Sequence, residues 1–275
     1  MDLSSYDVIL LNTSGGKDSM AAMITVVELA TRQGVQDRIV AVHCDLGDME
    51  WQGTLELARE HAESFGLRFE VVRNRNHVDL LARIEKRGKW PDAGNRYCTS
   101  EFKTGQVKRL ATQLVQEFRD SECPRIRDRL SQHAGQVRIL NVLGLRADES
   151  PARRKRPSFQ HYEPKTGWSN GKRWVDEWLP IHDWGVDEVW GAIRQSGLRA
   201  HFAYDIGMPR LSCAFCVFAS KPALILAAQH NPELAQRYVN AEARMGHTFR
   251  HKLSIAEVVE EAKTASVDRI ENWSA

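Results

Sequence analysis

The chain opens on a short apolar run, "YDVILLN" (6–12), and passes at once into "SMAAMITVVELATRQG" (19–34), whose apolar positions recur every three or four residues. The first pattern predicts a buried strand. The second predicts an amphipathic helix closed by Gly34. The alternation continues: "RIVAVHCD" (38–45) reads as a strand, "WQGTLELAREHAESFG" (51–66) as a helix, "RFEVVR" (68–73) as a third strand and "VRILNVLGL" (137–145) as a fourth. Strands alternating with helices predict an α/β fold, a mostly parallel sheet with helices on both faces. Ligands in such sheets sit beyond the carboxyl ends of the strands.

Further on, "HYEPKTGWSNGKRWVDEWLPI" (161–181) places Gly and Asn turn signals between aromatic runs and predicts a hairpin. From residue 186 the pattern is helical: "VDEVWGAIRQSG", "KPALILAAQHNPELAQRYVNAEARMG" and "SIAEVVEEAKTA". The organisation expected is an α/β nucleotide-binding domain over residues 1–185 and a helical C-terminal subdomain over 186–275, with no linker between them.

The length of 275 residues suits one large domain or a domain with an appendage. No apolar run approaches the ~20 residues of a membrane helix, and "MDLSSYDVILL" lacks the basic and apolar regions of a signal peptide. The five cysteines are Cys44, Cys98, Cys123, Cys213 and Cys216. An odd count without a secretory signal implies reduced thiols and a cytoplasmic protein. The net charge of +2 gives no sign of a nucleic-acid partner. Its distribution says more, because residues 86–109, 119–129 and 153–156 are basic stretches compatible with a DNA track. The stretch 119–129 reads as a surface insertion.

Between the first strand and the first helix lies "NTSGGKDSM" (12–20). Glycines let backbone N–H groups approach an anion, and the helix aims its positive end at the same place. Ser14 and Ser19 add hydroxyls and Lys17 a point charge. This is not a Walker A loop, since Leu11 stands where its first glycine would be and Asp18 follows the lysine. A plain strand-to-helix turn needs no Gly-Gly, lysine and paired serines together. Farther along, Glu149 and Ser150 follow a strand end, and Arg146 and Arg153 are bidentate donors suited to phosphoryl oxygens.

"SGGKDS" resembles the PP-loop of the ATP pyrophosphatase superfamily, in the branch similar to PAPS reductases. "HCDLGDMEWQGTLELAREHAESFGL", "RYCTSEFKTGQV", "GLRADESPARR" and "LPIHDWGVDEVWGAI" resemble further motifs of that branch in the same order, so the resemblance covers roughly residues 6–220. It implies an adenine-nucleotide site using Ser14, Gly15, Gly16, Lys17, Asp18 and Ser19, with Gly144 of the Gly-x-Arg motif beside it and Asp45 on the nucleoside side. Lys17, Asp18, Arg146 and Arg153 are then the catalytic candidates, with ATP and Mg²⁺ as the expected ligands.

Cys213-Ala-Phe-Cys216 is a weak signal alone. The resemblance brings Cys98 of the "RYC" segment close to it. Three thiolates would suit a 4Fe-4S cluster with one open iron, or, second to that, a zinc with a fourth non-cysteine ligand. A pair of packed thiols is the alternative. Cys44 is expected to be a small buried residue and Cys123 incidental.

Among cluster-bearing members of the branch, the chain looks most like the ATP pyrophosphatase of DNA phosphorothioation systems of the Dnd or Ssp type. That implies an enzyme, an adenylyl-transferring sulfurtransferase, with DNA as acceptor, a cysteine desulfurase or other sulfur donor as partner, and a second copy of the chain in a homodimer. A tRNA thiolation enzyme differs only in the acceptor. A PAPS or APS reductase is the main alternative, and it needs a nucleophilic cysteine that residues 217–275 do not contain. A non-enzymatic nucleotide-binding subunit is disfavoured by the intact loop.

Overall fold

The structure is a computed structural model that describes residues 1–76, 79–267 and 270. A six-stranded sheet is built from β1 (Val8–Thr13), β2 (Ile39–Asp45), β3 (Arg68–Arg73), β4 (Val137–Val142), β5 (Phe159–His161) and β6 (Arg173–Trp178), in the order β3-β2-β1-β4-β6-β5. β1 runs parallel to β2 and β4, and β4 parallel to β6; β5 pairs antiparallel with β6. The four strands expected from the sequence are present. The expected hairpin forms between β5 and β6, but β6 is also an interior parallel strand, paired with β4 from Val137↔Arg173 to Val142↔Trp178.

The sheet sends alternate residues to opposite faces. Val8 and Leu10 of β1 join Val40, Ile139 and Val175 against the apolar side of helix Gly105–Arg119. Ile9 and Leu11 join Ile39, Ala41 and Leu140 against Met23, Val26 and Ala30 of helix Lys17–Arg32. That helix also packs on helix Val186–Ser196, where Ile24 clusters with Val189 and Ile193. Both faces are therefore covered, which is why the strands read as apolar runs. Because β1 lies between β2 and β4, sequence order reverses direction across the sheet at the β1–β4 pair. A crevice opens beyond the carboxyl ends of such a pair.

The chain divides into two compact units, one of residues 1–44, 55–72 and 105–199 and the other of 45–54, 73–104 and 200–275. This differs from the boundary expected at 185/186. Helix Val186–Ser196 belongs with the sheet, and two segments from before residue 105 join the helical unit. The reason is packing: Leu46, Met49, Trp51, Leu80, Trp90 and Phe102 are buried in one cluster with Phe215, Leu224, Tyr238 and Phe249. Trp90 stacks on Tyr238 with centroids 5.3 Å apart.

The helical run read over 221–246 is two helices, Lys221–His230 and Pro232–Met245, divided where Pro232 lacks an N–H to continue the first. The presumed insertion 119–129 carries the start of helix Pro124–Gln132. The helix expected at 51–66 begins only at Thr54, after Gly53 with φ 79°. No helix among the described residues is long and apolar enough to cross a membrane.

Candidate active site

The turn after β1 is built from its own hydroxyls. Gly15 takes φ 67°, a conformation that favours glycine, and Gly16 is extended (φ −87°, ψ 157°) at the cap position of helix Lys17–Arg32. Having no side chain, Gly16 leaves the helix start without a side-chain cap. The Ser14 N–H donates to Ser19 Oγ at 3.1 Å, and Ser19 Oγ donates to the Gly16 carbonyl at 2.9 Å. The serine expected as an anion donor thus also pins the loop. Thr13 Oγ1, just before it, is buried with no hydrogen-bond partner; nothing in the sequence pattern singled it out.

Three charged groups meet at the same place. Lys17 is 4% exposed, and its Nζ donates to Asp18 Oδ2 at 3.0 Å. Arg146, 5% exposed, arrives from the segment after β4 and donates from Nε to Asp18 Oδ1 at 2.6 Å. Its Nη1 reaches Asp148 at 2.5 Å. Burial alone would raise the Asp18 pKa, but Lys17 and Arg146 outweigh it and hold the carboxyl below the usual range. Burial likewise works against the Arg146 charge and is outweighed by Asp18 and Asp148, so its pKa is raised.

Gly144 explains how the two segments come so close. A Cβ there would lie 2.5 Å from the Asp18 carbonyl oxygen and 2.8 Å from Ser19 Cα, both backbone atoms. Only glycine admits that approach. The next turn is fixed in the same manner: the Arg146 N–H donates to Glu149 Oε2 at 3.1 Å, Arg153 pairs with Glu149, and Ser150 Oγ accepts from the Arg153 N–H at 3.2 Å. His182, which sequence reasoning passed over, holds the segment at both ends. Its carbonyl accepts from Ala147 N–H at 2.7 Å, and its Nε2 lies 3.1 Å from the Arg153 carbonyl.

The first compact unit thus brings together Ser14, Gly15, Gly16, Lys17, Asp18, Ser19, Gly144, Arg146 and Arg153. Asp45 falls in the second unit. It is 9% exposed and accepts from the Gly47 N–H at 2.7 Å and from Arg73 Nε at 2.5 Å.

Cys98, Cys213 and Cys216 also lie in the second unit, partly buried against its core. Among the described residues no group of three or more His, Cys, Asp or Glu is arranged to hold a metal ion. Burial pushes the Cys213 thiol up to about 12, with Lys103 pulling the other way, and raises Cys216 as well. Cys98 and Cys216 both oppose ionisation of Cys213, so the fold groups the three thiols, with no metal-holding arrangement formed among the described residues.

The basic stretches are largely tied down. Arg156 binds Glu177, which is fully buried, through Nε at 2.8 Å and Nη2 at 2.5 Å. Arg129 pairs with buried Asp7, and Arg109 Nη1 donates to Gln106 Oε1 at 3.0 Å. Arg87 and Arg96 lie over the rings of Tyr97 and Phe218. Arg125, Arg127, Arg154 and Lys155 remain exposed.

A PP-loop-like turn beside the β1–β4 reversal agrees with what sequence comparison finds. Residues 8–219 match the phosphoadenosine phosphosulfate reductase domain, and the chain belongs to that family. An uncharacterized protein of Methanocaldococcus jannaschii is 26% identical over 239 residues, which are 86% of this chain and 48% of that protein. An uncharacterized 37.8 kDa protein of Escherichia phage 186 is 23% identical over 59% of this chain and 43% of its own length. The chain thus spans about half the length of these curated relatives. Among solved structures, the phosphoadenylyl-sulfate reductase of Candida auris in its phosphate complex is 13% identical, with a TM-score of 0.47, over 77% of this chain and 83% of that one.

Proposed function

We propose that the chain is an ATP pyrophosphatase that transfers AMP to an acceptor oxygen. The observation that carries this reading is the meeting of two buried cations, Lys17 and Arg146, on one carboxylate at an uncapped helix start. A triphosphate entering the turn takes the place of the missing cap, where backbone N–H groups and the helix dipole favour an anion. Mg²⁺ enters as part of the nucleotide substrate. The acceptor oxygen attacks the α-phosphorus, the bond from that phosphorus to the bridging oxygen breaks, and pyrophosphate leaves with the electron pair. Lys17 is the group that meets the charge on the departing phosphates. Asp18 orients both cations, and Arg153, steadied by Glu149, faces the acceptor.

A backbone phosphate of DNA is the acceptor in this reading. The adenylated oxygen then becomes the leaving group for sulfur delivered by a partner such as a cysteine desulfurase. The exposed Arg125, Arg127, Arg154 and Lys155 support an anionic acceptor. The family match also favours a second reading, thiol-dependent reduction of a sulfonucleotide.

The deciding assay measures pyrophosphate release from ATP with DNA, tRNA, PAPS or no acceptor. DNA-stimulated release supports the first reading. Sulfite release from PAPS with a thiol donor and no ATP would replace it with the second. Stimulation by tRNA alone would keep the chemistry and change the acceptor.

A further inference from the structure

At the carboxyl ends of β1, β4 and β6 the sheet carries polar residues where its apolar pattern calls for aliphatic ones. Asn141 sits in register with Glu177, and Gln160 of β5 is in register with Glu177 from the other side. Asn141 and Glu177 are 2% and 0% exposed. The groups form one connected chain. Asn12 Nδ2 donates to Asn141 Oδ1 at 2.8 Å and to the Val142 carbonyl at 2.9 Å. The Tyr162 hydroxyl donates to Glu177, the residue in register with Asn141. Gln160 Nε2 donates to Glu177 at 2.8 Å, and Arg156 grips both carboxylate oxygens.

The two ends of this chain are informative. Asn12 lies two residues before Ser14, where the phosphate turn begins. Arg156 lies three residues after Arg153, and its N–H donates to the Arg153 carbonyl at 3.0 Å. A buried carboxylate is retained only when its charge and lone pairs are met. Here the partners of Glu177, namely Arg156, Gln160 and Tyr162, all come from the seven residues that follow the Arg146–Lys155 segment.

We propose that the Asn12–Asn141–Tyr162–Glu177–Arg156 network is a positioning device, which fixes segment 146–156, and with it Arg146 and Arg153, relative to the phosphate turn. Arg156 and Glu177 are accordingly positioning residues, not parts of a surface charge patch. The activity readout of this inference rests on the pyrophosphatase reading; its exchange readout does not.

The test uses the full chain with Arg156→Met, Glu177→Gln and the double variant, which leaves no unpaired buried charge. Hydrogen exchange at amides 147–156 rises about tenfold in Arg156→Met and stays raised in the double variant, while helix Val186–Ser196 is unchanged. In the folded double variant kcat for pyrophosphate release falls while KM for ATP stays within about twofold. Wild-type exchange at 147–156 in the double variant overturns the proposal, as does an unaltered kcat. If the wild-type chain releases no pyrophosphate with any acceptor, the functional reading fails and the exchange result alone decides the network.

Discussion

Arg146 and Asp18 are joined by a hydrogen bond of 2.6 Å between Nε and Oδ1, and this contact ties the exit of β4 to the first turn of the helix after β1. Both groups are nearly dry, so their charges matter more than they would at the surface. Each has a second partner, Lys17 for the carboxylate and Asp148 for the guanidinium.

Lys17→Ala removes the cation assigned to the leaving phosphates but leaves Asp18 paired with Arg146. Pyrophosphate release falls by about a hundred- to a thousandfold, the range seen for loss of one transition-state donor. Circular dichroism and thermal melting remain close to wild type. Full turnover in this variant would remove Lys17 from the mechanism.

Gly144→Ala drives a methyl into the main chain of Asp18 and Ser19. The cost is about 1–3 kcal/mol of stability, together with weaker nucleotide binding. Gly191→Ala is the control. It lies in helix Val186–Ser196 with nothing within 4 Å of its new Cβ, and should stabilise by about 1 kcal/mol. Equal melting temperatures for the two variants would contradict the close approach.

The depressed Asp18 pKa makes stability depend on acid. A carboxyl held low in the folded state stabilises it above the unfolded value of about 3.9, and that contribution disappears as pH falls through the folded value. Asp18→Asn costs up to about 3–5 kcal/mol at neutral pH, because the charge shared by two buried cations is removed. The gap to wild type narrows below about pH 4. Urea titrations across this range would show a constant gap if the assignment were mistaken.

The thiols should differ sharply in reactivity. With its pKa pushed to about 12, Cys213 is almost entirely protonated at pH 8. Cys123 is exposed. Alkylation of the native chain, followed by peptide mass spectrometry, labels Cys123 first and Cys213 on the order of a thousandfold more slowly than an ordinary thiol. Rapid labelling of Cys213 would mean that the thiol is neither buried nor neutral.

The sheet and its Gly-Gly turn were legible because their signals are local: apolar runs, a glycine pair, a lysine at a helix start. β6 was only half legible. Asp176 and Glu177 interrupt its apolar character, and the partners that make their burial tolerable, Tyr6 and His161 for one and Arg156 and Tyr162 for the other, come from elsewhere in the chain. The composition of the second compact unit was hidden for the same reason, since Trp51 and Trp90 find Phe202 and Tyr238 only after folding. Motif resemblance singled out Gly144, but its steric reason emerged only in three dimensions. The cysteines are a different case: Cys98 is far from Cys213 and Cys216 in sequence and shares a compact unit with them only through the fold, with no metal-holding group among the described residues.

At Gly144 one stretch of peptide rests directly on another, with no side chain interposed. The spacing between the turn after β1 and the exit of β4 is therefore dimensioned by main-chain contact, and side-chain exchange cannot shorten it. Variation between such proteins has to be written into the side chains around this contact, while the contact itself stays the same.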